Sequence, residues 1–230
     1  MKPTPLKILA VDTSGFEGSV ALSNDREVIA ERSLSREGRR HAQTLVLEVS
    51  ELLHSCDVTP QQIDVVAVSI GPGSFTGLRV GVVFAKTFAW ANNTKLVAVD
   101  TLQAVAQQLP SEHSSVTVIS DAQREELFVN RYEWNADSQT RQPTGELRIE
   151  PLANVAATPT SIITGPGLAK FEDAFKDTWT LAAKDQWLPR AATIAQLGSV
   201  LAEQNTWADI HNLEPLYVRR SYAEEKLPAV

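Results

Sequence analysis

Residues 64–91 carry the clearest information on the fold and read DVVAVSIGPGSFTGLRVGVVFAKTFAWA. The first seven residues form a near-continuous apolar run, which is typical of a central strand buried on both faces. A glycine and proline turn, Gly71-Pro72-Gly73-Ser74, ends that strand. The spacing of the apolar residues that follow predicts a helix over Thr76 to Ala91. The sequence therefore predicts a buried strand, a tight turn and a helix in direct succession.

The predicted helix is apolar around most of its circumference. Its two charged residues, Arg79 and Lys86, are seven positions apart, so they fall within about 20° of each other around the axis. A helix of this kind must be buried on more than one side, and its own sheet can cover only one. Every fourth residue from Gly77 to Ala89 is small, and such a ridge allows another helix to approach closely.

The same plan occurs twice along the chain. Each half begins with three short strands that form a predicted antiparallel meander, and each contains a strand that ends in Gly-Pro-Gly before a helix. An aspartate lies at the end of the first strand of each half, at Asp12 and Asp121. The predicted strands are 7–13, 18–23, 27–35, 64–70, 95–100, 116–120, 127–133, 146–150 and 161–164, and the predicted helices are 41–54, 76–91, 101–109, 151–157, 168–176 and 191–203. Residues 135–145 are polar and turn-rich, which predicts a mobile hairpin loop.

This repetition predicts a duplicated α/β domain. We assign the first copy to residues 1–103 and the second, smaller copy to residues 104–206. The segment from about residue 207 to residue 230 is predicted to pack back on the first copy. Within it, Leu216-Tyr217-Val218 is predicted to be a short strand or anchor.

Composition narrows the class of protein. The chain has 230 residues, of which 43% are hydrophobic and 21% charged, as in folded globular proteins. Its net charge of −7 argues against a principal nucleic-acid-binding component, because such proteins present basic surfaces. The apolar runs are too short to cross a bilayer, and residues 1–14 lack the apolar core of a signal peptide. The single cysteine, Cys56, fits a reducing compartment, so we expect a cytoplasmic protein without membrane association.

Two polar turns are candidates for a nucleotide or phosphate site. Asp12-Thr13-Ser14 follows the first strand, and Gly71, Gly73 and Ser74 lie between a buried strand and a helix. A glycine turn that leads into a helix N-terminus presents free N–H groups and the positive end of the helix dipole, which suits phosphate. The alternative is that Gly-Pro-Gly is only a tight connection between two elements, and the spacing leaves both interpretations open.

No catalytic or metal-binding set is recognisable in the sequence. The four histidines, His41, His54, His113 and His211, include no pair at i, i+4 on one helix. The chain also lacks a Gly-x-Ser-x-Gly nucleophile turn and a P-loop lysine. We therefore expect no catalytic residues, no bound metal and no cofactor in this chain.

The segment GPGSFTGLRVG, residues 71–81, is highly specific. With residues 8–14, 19–22, 41–43, 121–128, 165–167 and 215–219, it resembles the TsaB (YeaZ) family of bacterial tRNA threonylcarbamoyladenosine biosynthesis proteins. The resemblance covers essentially the whole chain. It implies two ribonuclease-H-like domains of the actin, Hsp70 and sugar-kinase type, in agreement with the duplication.

The resemblance also implies a role in tRNA modification. The related enzyme TsaD transfers threonylcarbamoyl from its adenylate to the adenosine 3′ of the anticodon in tRNAs that read codons beginning with A. TsaB-like proteins are regarded as non-catalytic partners that bind TsaD, with the ATPase TsaE completing the set. In this scheme the complex uses ATP and Mg²⁺, and this chain reaches tRNA only through the complex. Where TsaD-like proteins carry a His-x-x-x-His metal pair, this chain has Thr101 and Val105, which cannot replace it, and this disfavours a metallopeptidase.

A partner protein would explain why the predicted helix 76–91 is apolar on more sides than its own sheet can cover. We assign an interface with TsaD to helices 76–91 and 41–54 and expect the same surface to form an isologous homodimer when the protein is alone. The residues assigned to this interface are His41, Leu45, Val49, Leu52, Gly77, Val80, Gly81, Val83, Phe84 and Thr87. One alternative is that the chain itself covers this helix. Another is an autonomous ATP-binding kinase or nucleotide hydrolase of the same fold, although such kinases resemble Asp-x-Gly-Thr where this chain has Asp12-Thr13-Ser14.

Overall fold

The computed structural model describes residues 5–34 and 41–218, which form two β-sheets with helices packed on them. The strands are β1 Lys7–Asp12, β2 Ser19–Asn24, β3 Glu27–Ser33, β4 Val65–Ser69, β5 Lys95–Val99, β6 Ser115–Asp121, β7 Glu126–Asn135, β8 Thr140–Pro143, β9 Arg148–Pro151, β10 Ile162–Thr164 and β11 Thr180–Leu181. The helices are α1 His41–Ser55, α2 Phe75–Asn92, α3 Thr101–Gln107, α4 Leu152–Ala157, α5 Leu168–Phe175 and α6 Ala191–Glu203. No helix in these two ranges is long and apolar enough to span a membrane.

The first sheet has the strand order β3-β2-β1-β4-β5. β1 pairs antiparallel with β2 and parallel with β4. β4 is buried along its whole length, as its continuous apolar run predicts. Alternate residues of β1 point to opposite faces. Leu9 and Val11 pack with α1 and α2 on one face, and Ile8 and Ala10 pack with α6 on the other.

The second sheet repeats the first strand for strand. Its order is β11-β10-β6-β7-β8, and β9 lies beside β8 along the same edge of β7. β6 pairs antiparallel with β7 and parallel with β10, as β1 does with β2 and β4. In the second sheet, β6, β7, β10 and β11 are thus equivalent to β1, β2, β4 and β5 of the first sheet. The β8 and β9 pair is equivalent to β3.

The turns confirm that the two sheets are copies of one unit. Gly71 follows β4 with a φ of +118°, and Gly165 follows β10 with a φ of +121°. Glycine is favoured there because it adopts positive φ without a Cβ clash. Asp12 and Asp121 are the last residues of β1 and β6. The predicted fold, two ribonuclease-H-like units of the actin, Hsp70 and sugar-kinase type, is confirmed.

Helix α6 packs on the first sheet, and not on the second as the assignment of residues 104–206 implies. It covers β1, β2 and β4, and side chains from β2 and β3 hold its N-terminus. The Ala191 N–H donates to Ser19 Oγ at 2.8 Å, and the Ala192 N–H donates to Glu31 Oε1 at 3.0 Å. The amphipathic pattern of residues 191–203 specifies an apolar face but does not specify which sheet that face covers.

Residues 135–145, predicted as a mobile loop, contain strand β8 and a fully buried arginine. The Arg141 guanidinium donates to the carbonyl oxygens of Pro110, at 2.7 Å, and His113. It also lies 5.7 Å from the centre of the Trp134 ring. Burial lowers the pKa of this guanidinium. The sequence did not reveal this strand because polar composition usually marks solvent-exposed turns, whereas Arg141 ties β8 to the turn before β6.

We expect Arg141→Met to lower the free energy of unfolding by about 2 kcal/mol, because it removes the hydrogen bonds that the buried guanidinium donates to the Pro110 and His113 carbonyl oxygens. Urea denaturation followed by circular dichroism measures this change. Arg148→Met is the matched control, since Arg148 is mostly exposed and its ion pair with Glu150 contributes little. Equal stability of the two variants would contradict a structural role for Arg141.

Helix α3 lies at the junction of the two units, so the assigned boundary at residues 103 and 104 cuts through it. Leu102 and Val105 are buried in the second core. At the start of the helix, Asp100 Oδ1 accepts a hydrogen bond from the Gln103 N–H at 2.7 Å and another from the Tyr132 hydroxyl at 3.1 Å. Desolvation raises the pKa of the Asp100 carboxyl above its ordinary value of 3.8, and burial beside Asp100 raises the pKa of Tyr132.

The raised pKa of Asp100 makes a pH prediction possible. A carboxyl that holds its proton more tightly when folded stabilises the protein below pH 3.8, and this contribution is lost as the pH rises through the raised pKa. Asp100→Asn removes this loss and keeps an oxygen for the two hydrogen bonds. The stability of Asp100→Asn relative to wild type should therefore increase with pH across that window, measured by thermal unfolding at several pH values. Parallel stability curves would contradict the assignment.

Candidate functional site

The Asp12 turn lies directly against the N-terminal turn of α2. The Ser74 N–H donates to the Ser14 carbonyl oxygen at 2.6 Å, and the Thr13 hydroxyl donates to the Gly77 carbonyl oxygen at 2.7 Å. A Cβ on Gly77 would lie 2.0 Å from the Thr13 carbonyl oxygen, a distance that real Cβ atoms do not reach. The backbones of the strand end and the helix are therefore in contact without side chains between them.

This contact decides how the six predicted phosphate-site residues are arranged. Asp12, Thr13 and Ser14 are buried, and the Ser69 hydroxyl donates to Asp12 Oδ1 at 2.5 Å. The Ser74 N–H, which a phosphate would need, is taken by Ser14, and the Ser74 hydroxyl accepts from the Gly77 N–H at 3.2 Å. The tight-connection interpretation accounts for this geometry. A phosphate site at Gly71, Gly73 and Ser74 stays a prediction that requires the contact to open.

Thr101 and Val105, which the resemblance sets against a His-x-x-x-His pair, are both engaged inside the protein. The Gly71 N–H donates to Thr101 Oγ1 at 2.9 Å, and the Thr101 N–H donates to the Gly71 carbonyl oxygen at 3.0 Å. Val105 is fully buried in the second core. Across residues 5–34 and 41–218, no cluster of three or more His, Cys, Asp or Glu side chains could hold a metal ion.

The chain itself covers three sides of α2. The first sheet covers the small-residue ridge, and α1 packs beside α2. The C-terminal segment runs back along α2 and places Ile210 and Leu213 against the same core. The buried residues of the helix are Gly77, Leu78, Gly81, Val82, Ala85 and Ala89. The close approach that the ridge allows is therefore made by the helix's own sheet, and Gly77 and Gly81, which the sequence assigned to the interface, pack there.

Several residues assigned to the interface lie inside the first unit. Five are buried and cannot contact a partner on this surface: Leu45, Val49, Leu52, Gly77 and Gly81. Val80 and Phe84 are partly buried against the same core. Only Val83, 62% exposed, and Thr87 present open surface. His41 begins α1, and its side chain lies outside the described part of the chain.

Three large apolar residues that the sequence analysis did not assign to the interface are exposed. One lies on α2 with Val83, and two lie on the neighbouring helix α1. Trp90 is 73% exposed on α2, and Val46 and Leu47 are 67% and 40% exposed on α1. Trp90 follows Val83 by seven residues, which places both on the same side of the helix. That spacing was a usable signal, but it does not show which side the sheet covers. We call Val46, Leu47, Val83, Thr87 and Trp90 the helix face.

The C-terminal segment borders the helix face. Lys86 Nζ donates to the carbonyl oxygens of His211 and Leu213, both at 3.0 Å, and fixes the segment to α2. A shallow concavity of about 410 Å³ lies between them, lined by Lys86, Thr87, Trp90, Ile210 and His211. The site therefore offers an exposed apolar surface with a cationic edge.

Two copies of one sheet-and-helix unit, each with an aspartate at the end of its first strand and a glycine turn before a helix, define a protein of the ribonuclease-H-like class. A family model described as TsaD: tRNA N6-adenosine threonylcarbamoyltransferase matches residues 27–227, and the chain belongs to this family. It is 28% identical to the tRNA threonylcarbamoyladenosine biosynthesis protein TsaB of Bacillus subtilis (strain 168), over 96% of this chain and 97% of that protein. TsaB of Escherichia coli (strain K12) is 26% identical over 97% of this chain and 99% of that protein.

A solved structure supports the same relationship. It is described as an uncharacterized protein with similarity to peptidase YEAZ from Pseudomonas aeruginosa, with a TM-score of 0.80 and 25% sequence identity. The match covers 93% of this chain and 100% of that chain. The resemblance to the TsaB (YeaZ) family that the sequence indicates is therefore confirmed.

The contact between Gly77 and Thr13 can be tested by one added methyl group. Gly77→Ala should lower the free energy of unfolding by about 2 kcal/mol, because the Cβ would collide with backbone. Helix propensity alone would raise stability by about 1 kcal/mol, so a loss reports the contact. Gly145→Ala is the matched control, since nothing lies within 4 Å of that Cβ position. Chemical denaturation measures both, and a Gly77→Ala variant as stable as wild type would contradict the close approach.

Proposed function

We propose that this protein is a non-catalytic subunit required for threonylcarbamoylation of the adenosine 3′ of the anticodon in tRNAs that read codons beginning with A, and that it acts by binding TsaD. Membership in the TsaD family and full-length similarity to proteins named TsaB support a role in tRNA threonylcarbamoylation. Thr101 and Val105, in place of a His-x-x-x-His pair, support a non-catalytic role.

The observation that carries the binding proposal is the helix face. Large apolar side chains exposed together cost free energy in water, and such patches mark interaction sites on folded proteins. Trp90 is of particular weight, because tryptophan is enriched among the residues that dominate binding energy. Three sides of α2 are already covered, so one side remains for a partner.

The remaining parts of the proposal follow from the same scheme. TsaE would complete the set, and the complex would use ATP and Mg²⁺ while this chain holds neither. The net charge of −7 supports contact with tRNA only through the complex. A tRNA-modifying role supports a cytoplasmic location. Without TsaD, the helix face would pair with itself in an isologous homodimer.

The alternative, an autonomous kinase or nucleotide hydrolase, has less support. It needs donors at the Asp12 and Gly71 turns, and the Ser74 N–H is committed to the Ser14 carbonyl oxygen. A metallopeptidase would need a metal, and Thr101 is bonded to Gly71 in both directions. The helix face has no role in either alternative.

Val83→Glu and Trp90→Ala should each weaken binding to TsaD by about 30-fold or more, which corresponds to about 2 kcal/mol at a dominant contact. Isothermal titration calorimetry with TsaD from the same organism measures the dissociation constant. Both side chains are mostly exposed, so the variants should melt like wild type. Ile29→Glu is the matched control, since Ile29 is 46% exposed on β3 and outside the helix face.

Light scattering after size exclusion, with and without TsaD, completes the test. We expect a dimer alone that converts to a stoichiometric complex with TsaD, and Val83→Glu should weaken both. Native affinity in both Val83→Glu and Trp90→Ala would overturn the helix face as the interface. A wild-type protein that does not bind TsaD would overturn the proposed function itself.

A further inference from the structure

Residues 214–218, which we call the C-terminal strap, cross the N-terminal end of α2. The Leu216 N–H donates to the Ile70 carbonyl oxygen at 2.7 Å, at the end of β4. The Tyr217 ring packs against the Phe75 ring in a tilted pair with 5.0 Å between the ring centres, and Val218 packs against the second core. The strap therefore reaches from the α2 N-terminus to the second unit.

The strap holds one arginine in a fixed position. Arg79 Nε donates to the Tyr217 hydroxyl at 2.9 Å, and the Arg79 guanidinium lies 3.9 Å from the centre of the Phe75 ring. Phe75 and Tyr217 thus contact the same guanidinium from two elements. An arginine ordered in this way loses little conformational entropy when it binds.

The ordered guanidinium has no carboxylate partner among residues 5–34 and 41–218. The ion pairs found in those ranges involve other cations. Only Nε of Arg79 has a hydrogen bond there, to a neutral hydroxyl, so its fork of terminal N–H groups can still bind a carboxylate with two bonds. Arg79 is exposed and held in place by two aromatic rings, and the part of the chain that the structure describes offers it no carboxylate, so it is arranged for an acid on another molecule.

This cluster continues the helix face. Arg79 precedes Val83 by four residues, so it lies one turn away on the same exposed side of α2. Leu216 and Tyr217 add apolar surface at this end, with 40% and 41% exposure. Arginine and aromatic residues are the types most enriched among the residues that dominate binding energy.

We propose that Phe75, Arg79 and Tyr217 form a second anchor of the partner interface, and that Arg79 pairs there with a carboxylate of the partner. The C-terminal strap is then part of the binding surface, with Tyr217 as the residue that positions Arg79. This inference rests on the proposed function, because it takes TsaD as the partner. It adds an arginine–carboxylate ion pair to the interface, which the apolar helix face alone does not supply.

The test compares Arg79→Gln and Tyr217→Phe with wild type in titrations against TsaD at low and high salt. Arg79→Gln should weaken binding by about tenfold or more and flatten the salt dependence of the dissociation constant, because the charge pair is lost. Tyr217→Phe keeps the ring and loses the hydroxyl, so it should give a smaller loss and keep the salt dependence. Lys95→Gln is the matched control, since Lys95 is an exposed cation that contacts Trp207, away from this cluster.

A purely structural role of Arg79 is separable from binding. Hydrogen exchange of residues 70–79 and the melting temperature report whether the strap stays in place in each variant. If Arg79→Gln binds with native affinity and native salt dependence while Val83→Glu does not bind, the second anchor is overturned and the proposed function stands. If the affinity of Arg79→Gln falls but the salt dependence is unchanged, the carboxylate pair is overturned. If wild type does not bind TsaD, both proposals are overturned.

Discussion

The contact between the Thr13-Ser14 backbone and the first turns of α2 sets the geometry of the first unit. A residue other than glycine at position 77 would bring its Cβ to 2.0 Å from the Thr13 carbonyl oxygen, which is a steric clash. The N-terminus of α2 can therefore contact the end of β1 only with glycine at this position. The approach lets Ser14 accept the Ser74 N–H and lets Thr13 donate to the Gly77 carbonyl oxygen. The first bond satisfies the Ser74 N–H, one of the donors that a helix N-terminus leaves open, and the second ties the Thr13 side chain to the first turns of α2. The Asp12 turn, a candidate phosphate site in the sequence, consequently contacts the N-terminus of α2.

Seating α2 this closely determines which of its sides remains open. The small-residue ridge of α2 packs on the first sheet. Helix α1 and the C-terminal segment cover two further sides of α2. Val83, Thr87 and Trp90 are left on the fourth side. An apolar helix in a protein of this size would ordinarily be enclosed, and the open side therefore gives the surface a functional meaning. The open side of α2 is the surface on which the proposed binding of a partner rests.

The two units share a topology and differ in how they are closed. The first sheet is covered on both faces, by α1 and α2 and by α6, whereas much of the second core lies against α3 and the short helices α4 and α5. Asp100 and Tyr132 join the units through one hydrogen bond at the start of α3. Thr101, one residue further on, locks the Gly71 turn to the same helix. The junction at Thr101 and Val105 is made of packing and of hydrogen bonds to the Gly71 backbone.

Within residues 5–34 and 41–218, local patterns in the sequence determined nine of the eleven strands, the six helices and the duplication, because periodicity and turn chemistry act over a few residues. The apolar run before Gly71, the aspartates at 12 and 121 and the repeated Gly-Pro-Gly were sufficient for the fold class. The sequence also brought Asp12, Thr13, Ser14 and the Gly71 turn together as one site. Only the tertiary structure decided that this site is closed, that Leu45 and Val49 are core residues, that α6 belongs to the first sheet and that Arg141 is buried. A periodic pattern shows that a helix has an apolar side, but which neighbour covers that side depends on contacts between residues far apart in the chain.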